Sequence, residues 1–523
     1  MRSETIHDED DDELGQEIEA QVNEWSSNSN ECFTVQLVRG DGSVATSFAP
    51  EFTYTFFGQE EAIFGYQDLD ITLSFRAHDL EPKLKIKYGK IFPAQGDVRP
   101  TDIPEALAEF LPESAFDDSP LPEEPDFKPP GEKIHGYKRN GTSYEIWCAS
   151  LAEPRARKLL ENMQILVPMF IDGGSALELE QDWTTQRWKL FTVYEVDRSA
   201  TGKVSPYTLA GYGTSYRVFT FPERQKSIRF ADAESLDHFM PAPDAKTNSL
   251  SNDADIGTPL ELPSRERLSQ FLMLPPFHGA GHGQELYNTM YKHLTDPVNI
   301  REFTVEDPNE RFDDLRDFCD LLHLRANNSD FAALRIQTDI PADKMDLKAN
   351  IPTDLIVPVG VRKQIMRESK IMPRQFDRLV EMHTLSFIPP QNRSRSRISR
   401  KEKATNEHDR AYYFWRLYAK HRLYIFNKDQ LAQLEHTERV EKLEAALDSV
   451  LEAYSEMISK VEAREKAIQN GEMEEEQEEL NTSFTKRKRP VVADDEDEDG
   501  EAGAEQDEAT PITNGQKKKA RVD

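Results

Sequence analysis

Leu268-Ser269-Gln270-Phe271-Leu272-Met273-Leu274-Pro275-Pro276-Phe277-His278-Gly279-Ala280-Gly281-His282-Gly283-Gln284 and the Glu285–Leu294 run that follows are the stretch that decides the fold. The first seven residues are an apolar run of strand length. Pro275-Pro276 stops it, because neither residue can donate to a ladder. Leu286, Met290 and Leu294 recur every four residues, which predicts a helix facing a sheet, and Asp296-Pro297 ends it. The unit reads as strand, glycine loop, helix. Glycines let the backbone turn tightly and aim several N–H groups at one point, beside the positive end of a helix dipole; the result is an anion cradle suited to a pyrophosphate. Spacing narrows the choice of anion. A nucleotide P-loop needs Gly-Lys-Ser/Thr, and Gly283 is followed by Gln284. A dinucleotide fingerprint needs glycine at the sixth position from Gly279, which is again Gln284. A glycine-rich connection without function stays open on these residues alone. His278 and His282 sit in the loop with no third ligand placed near them, so no metal site is expected.

Downstream, Ile300–Val305 predicts a short strand ending on Glu306-Asp307-Pro308-Asn309. Two carboxylates at a strand end are either surface acids or a general base beside the cradle. A helix follows with Phe312, Leu315, Phe318 and Leu322 inward. Upstream, alternation predicts strands at Cys32–Val38, Leu69–Phe75, Tyr144–Trp147, Trp188–Tyr194 and Tyr216–Phe219, with one helix over Arg155–Phe170. Prolines between 112 and 134 read as a linker, and the Pro/Asn/Ser/Asp stretch 241–263 as a disordered insertion. Beyond residue 340 the pattern is helical. Val440, Leu443, Leu447, Val450, Tyr454, Ile458 and Val461 form a seam that fits either a partner helix or the chain's own C-terminal helices.

Over 523 residues, 96 Asp and Glu against 64 Lys and Arg leave a formal charge of −32, and only 37% of residues are apolar. A body this acidic argues against direct nucleic-acid binding and for cationic protein partners, although acid also serves plain solubility. The acidic runs at 8–13 and 494–499 read as disordered tails. Lys486–Pro490 and Lys517–Arg521 read as nuclear import signals, and the Arg/Ser patch 393–401 as a solvated loop. Three scattered cysteines exclude a disulfide scaffold and favour a reducing compartment. Neither a membrane span nor a secretory signal core is expected.

The run from Gln270 through Gly283 resembles the coenzyme A loop of the GCN5-related N-acetyltransferase superfamily, with His278 where Gln or Arg is usual and with Gly281 and Gly283 matching. Val305–Glu310, Leu315-Arg316-Asp317, Phe64-Gly65-Tyr66 and Gly211–Tyr216 narrow the likeness to the type B histone acetyltransferase catalytic subunits, and Arg374–Leu379 extends it. The resemblance implies an α+β fold: a mixed-sheet acetyltransferase core (134–330), an α+β N-terminal domain with linker (21–133) and a helical C-terminal domain (331–470). Acidic tails (1–20 and 471–523) lie outside it. It further implies acetyl transfer from acetyl-CoA, without metal, to lysines of the free histone H-four tail. The family partner would be a WD-repeat histone-binding subunit, the setting nucleus and cytoplasm, and the processes DNA repair and telomeric silencing.

Residue by residue, the resemblance makes Glu306 the general base, with Asp307 sharing or tuning that role. It gives the pantetheine arm to Phe271, Leu272 and Met273, with the oxyanion donor at the N–H of Leu272 or Met273. His278, Gly279, Ala280, Gly281, His282, Gly283 and Gln284 would take the pyrophosphate, and Asn309 and Phe312 the rest of the slot. Gln59, Glu60, Glu61, Tyr216, Arg217 and Val218 match positions that contact the histone tail. Two rivals stand beside this reading: an acetyltransferase for other protein lysines, and a non-catalytic acidic histone carrier.

Overall fold

Phe33, Val35 and Leu37 alternate with half-buried neighbours, which gives strand β1 (Phe33–Val38) one face for a core. It pairs with β2 (Val44–Phe48) and, in parallel, with β3 (Asp70–Arg76), and β4 (Pro82–Lys87) completes this N-terminal sheet. The computed structural model describes residues 22–470 except 97, 118, 120–123, 178, 180, 181, 200–203, 221–258, 346–349 and 400–404. The acidic tails, both basic runs beyond 480 and residues 241–258 of the expected insertion lie outside the described residues. The insertion's last residues are tied into the fold: Pro259–Glu261 is a 3-10 turn, and the Leu260 and Leu262 carbonyls accept from the Asn299 side chain.

A second sheet carries the molecule. Its strands are β5 (Glu132–Arg139), β6 (Thr142–Ser150), β7 (Trp188–Val196), β8 (Tyr207–Phe219), β9 (Ser264–Met273) and β10 (Ile300–Val305). They lie side by side in reverse chain order, and every neighbouring pair is antiparallel except β9–β10. That one parallel pair needs a crossover, and the chain makes it through the glycine loop and helix α2 (His282–Thr295). Helix α3 (Glu310–Asn327) follows β10 directly.

The two faces of this sheet hold two hydrophobic cores. On one face Trp147, Leu190, Tyr194, Tyr212 and Leu272 pack with helix α1 (Pro154–Met163) and the N-terminal sheet. On the other, Ile146, Phe191, Val193 and Leu268 pack with α2, α3 and the C-terminal helices α4 (Val359–Ser369), α5 (Pro373–Ser386), α6 (Glu407–Phe426) and α7 (His436–Asn470). The helical segment therefore shares its core with the sheet. Most of the α7 seam faces inward: Leu447, Val450, Tyr454, Ile458 and Val461 are buried against α3, α5 and α6, whereas Leu443 is half-buried and Val440, at the N-terminal end of the seam, is exposed.

The single helix expected over 155–170 is two, Pro154–Met163 and Leu166–Phe170. Pro168 explains the break, since it has no N–H to bond the carbonyl four residues back. The Arg/Ser patch is less free than a solvated loop. Arg395–Ile398 is a short helix, Arg397 pairs with Asp409, and Arg393 donates to the Ile388 carbonyl.

Candidate active site

Strand β9 is paired along its whole length with β8 but with β10 only as far as Leu268↔Val305. The Glu306 N–H donates to the Leu268 carbonyl at 2.9 Å, and there the two parallel strands part. From Ser269 to Met273 one edge of β9 is open. Gln270 N–H bonds Thr214 Oγ1 and Leu274 N–H bonds the Ala210 carbonyl, both on β8. Backbone alternation therefore turns Leu272 toward β8 as well and leaves the N–H groups of Phe271 and Met273 on the open edge. The Met273 carbonyl there is met by His278 Nε2 at 2.7 Å, so this histidine is the proton donor that closes the loop onto the strand. That contact gives the departure from Gln or Arg at 278 a structural role.

The open edge is one wall of a cleft of about 420 Å³ lined by Phe271, Leu272, Met273, the 277–284 loop without Ala280, Asn309 and Phe312, among others. Ala280 is half-buried in the same loop. Gly281 caps α2 at φ +78°, a left-handed conformation that disfavours any side chain. A Cβ on Gly283 would meet nothing nearer than 3.5 Å, so no protein atom forbids one; the missing side chain leaves room in the cleft. His282 is buried, accepts from or donates to Tyr137 Oη at 2.8 Å, and is pushed down to about 4 by burial and then by Arg139. It is neutral at pH 7. Burial also raises the Tyr137 phenol above its usual pKa. Phe271 and Phe312 meet edge to face at 5.1 Å, and Asn309 Oδ1 caps α3 through the Phe312 N–H.

At the fork itself Glu306 is half-exposed and held from three sides. Ser269 Oγ donates to Oε2 at 2.7 Å, Tyr216 Oη to Oε1 at 3.4 Å, and Arg267 Nη1 lies 3.6 Å from Oε1. Arg267 also donates to Tyr216 Oη at 3.1 Å. Asp307 is exposed and has a positive φ of 32°; no hydrogen bond joins it to Glu306 among the described residues. The three cysteines carry no activated thiol: burial pushes Cys32 up to about 11 and Cys148 up to about 12, and raises Cys319 well above its ordinary value.

The profile described as "Histone acetyl transferase HAT1 N-terminus" matches residues 25–172. A histone acetyltransferase type B catalytic subunit of Aspergillus oryzae is 37% identical over 473 residues, which cover 86% of this chain and 88% of that protein. Proteins of the same name from Pyricularia oryzae (35%, covering 90% and 98%) and Cryptococcus neoformans (31%, covering 84% and 98%) agree along nearly their whole length. The chain belongs to the type B histone acetyltransferase catalytic subunits.

Several residues shared with the family pattern have structural explanations here. Gly211 lies where a Cβ would come within 2.6 Å of the Leu272 carbonyl, so β8 can run against β9 only without a side chain there. Tyr212 is fully buried, and Thr214 accepts from the bulged Gln270. The positions expected to contact a histone tail divide. Tyr216 is at the fork; Gln59 and Glu60 are exposed, whereas Glu61 turns its carboxylate onto Asn30 and the Thr53 N–H. Arg217 points inward to buried Glu266 at 2.7 Å, so its guanidinium is spent within the protein, and Val218 is half-buried in β8. Sequence reasoning missed Ser269 and Arg267. They face the same way on β9, and only the parallel register with β10 brings them to Glu306. Among the described residues no helix is long and apolar enough to cross a membrane.

Proposed function

We propose that the chain is the catalytic subunit that transfers an acetyl group from acetyl-CoA to lysine ε-amines of the free, newly synthesised histone H-four tail, on a GCN5-related N-acetyltransferase core. The fork carries this reading: a half-exposed carboxylate stands at the point where a strand edge opens beside a glycine loop. The cleft fits the cofactor. Phe271 and Met273 turn N–H groups to the open strand edge, toward the amides of a pantetheine arm, and Gly281 and Gly283 keep the loop and the α2 N-terminus clear for a pyrophosphate. When bound, acetyl-CoA supplies the thioester that is attacked.

The residues then have simple tasks. A lysine of pKa about 10.4 arrives protonated and must lose its proton to attack. Glu306, oriented by Ser269 and Tyr216, takes it. The Phe271 and Met273 N–H groups are the donors available to charge developing on the acetyl oxygen. With no activated thiol at hand, direct attack by the lysine is the simpler course. Glu60 and the general acidity steer a Lys- and Arg-rich tail toward the site. A WD-repeat histone-binding subunit as partner, and residence in both nucleus and cytoplasm, complete the proposal.

The test is acetyl transfer to a free histone H-four tail peptide beside a panel of unrelated basic peptides. Preference for the histone peptide supports the reading, and equal transfer to all of them favours a general protein-lysine enzyme. No transfer to any peptide, even with the partner subunit, together with no acetyl-CoA binding would reject it in favour of a carrier. Gly281→Glu supplies a second check. It forces a side chain into a left-handed position and an acid into an anion cradle, so acetyl-CoA affinity should fall about a hundred-fold. Unchanged affinity in calorimetry would place the cofactor elsewhere.

A further inference from the structure

Across the mouth of the cofactor cleft runs one ion pair whose partners are 260 residues apart in sequence. Arg311, in the first turn of α3, places Nη1 3.3 Å from Oε2 and Nη2 3.2 Å from Oε1 of Glu51. Glu51 comes from the N-terminal domain, and both residues line the cleft. The pair is open to water, with side chains 50% and 33% exposed, so it is a weak bond between domains. Glu51 does not depend on it for position. Its N–H and that of Phe52 both donate to the Met169 carbonyl at 3.0 Å, which stitches this segment to the end of the Leu166–Phe170 helix.

Arg311 is the one arginine or lysine among the described residues lining the cleft. His282 is neutral there, and the chain as a whole carries −32. The position also suits an anion for a second reason: the first turn of an 18-residue helix carries a partial positive charge, which opposes a bare guanidinium and favours an anion beside it. In the resting protein Glu51 is that anion. Coenzyme A, however, brings a pyrophosphate and a ribose 3′-phosphate. The glycine loop offers backbone N–H groups for one diphosphate and no fixed cation for the remaining charge.

We propose that Arg311 binds a phosphate of the cofactor and that Glu51 is its resting partner, displaced when the cofactor enters. This rests on the acetyl-CoA reading of the cleft. A guanidinium matches two phosphate oxygens as well as it matches two carboxylate oxygens, so the exchange preserves its geometry. Glu51 then acts against binding, since its ion pair must be broken and its charge left near a phosphate.

Equilibrium binding of acetyl-CoA, 3′-dephospho-acetyl-CoA and acetyl-pantetheine to the full chain tests this, using wild type, Arg311→Ala, Glu51→Gln and the double variant. Arg311→Ala should weaken acetyl-CoA about ten-fold and leave acetyl-pantetheine unchanged. Glu51→Gln should tighten acetyl-CoA about two- to three-fold, and that gain should vanish in the Arg311→Ala background. Within a positive result, 3′-dephospho-acetyl-CoA identifies the phosphate: an undiminished Arg311→Ala effect assigns the pyrophosphate, a lost one the 3′-phosphate. Unchanged acetyl-CoA affinity in Arg311→Ala, an equal loss for acetyl-pantetheine, or weaker binding in Glu51→Gln overturns the proposal and makes the pair a domain contact only. A wild type that binds acetyl-pantetheine and acetyl-CoA equally also overturns it, while one that binds neither overturns the acetyl-CoA reading itself.

Discussion

Glu306→Gln should lower turnover about 10²- to 10⁴-fold while acetyl-CoA binding and the fold stay as they are. The size follows from what the change removes. Glutamine has the same shape, and its carbonyl oxygen can still accept from Ser269 or Tyr216, so the side chain keeps its place. It cannot take a proton. A lysine that stays protonated at neutral pH has no lone pair to attack with, and water is a poor substitute for a positioned carboxylate. The structural loss is small by comparison: the ion pair to Arg267, with both side chains more than a third exposed, is worth about 0–1 kcal/mol. Steady-state kinetics on the histone H-four tail peptide, with thermal unfolding and acetyl-CoA calorimetry alongside, separate chemistry from folding. Turnover within three-fold of wild type would remove Glu306 from the role of base and direct attention to Asp307.

How much of this arrangement was legible in the sequence depends on the range of the interaction. Ile300–Val305 is a strand with the bounds that its alternation and the Asp307-Pro308 turn dictate, and β9 ends at Met273, with only Leu274 between it and Pro275-Pro276. These are local facts, settled by side-chain period and by what proline cannot donate. Helix α2 starts at His282, inside the stretch whose residue types read as glycine loop, because His282 and Gly283 carry no apolar period of their own. The surroundings of Glu306 were invisible for a different reason. Ser269 and Arg267 are ordinary strand residues until a parallel neighbour is set in register beside them, and nothing local sets that register. Asn309 was legible as a slot residue only through resemblance, although Asn followed by Glu310 and an apolar helix is an N-cap signal in plain view. The Leu315-Arg316-Asp317 and Arg374–Leu379 segments stood out as family-like, yet their purpose could not be read from either one alone.

That purpose is a buried contact between them, and breaking it should have the largest effect on stability of any single change considered. Arg378 of α5 pairs with Asp317 of α3, and Gln375 Nε2 donates to Asp317 Oδ1 at 2.9 Å and to Asp320 Oδ2 at 3.1 Å. Tyr287 of α2 donates to Asp320 Oδ1 at 2.8 Å. Burial pushes the Asp320 carboxyl up to about 7, so near neutral pH the cluster need hold only part of a second negative charge. Asp317 is 2% exposed and has Arg378 as its cation. Removing that cation strands an ionised carboxylate in the interior, which costs about 3–5 kcal/mol, whereas replacing both partners by apolar side chains of similar volume is near neutral. Arg378→Ala should therefore lower the denaturant midpoint sharply, and Arg378→Met combined with Asp317→Leu should recover most of the loss. If the double change is as damaging as the single one, the segments act by shape and not by charge. Cofactor affinity should follow stability in this series. α3 brings Phe312 and Leu315 to the cleft from one end and Asp317 and Asp320 to α5 from the middle, so the slot is only as fixed as the helix that lines it.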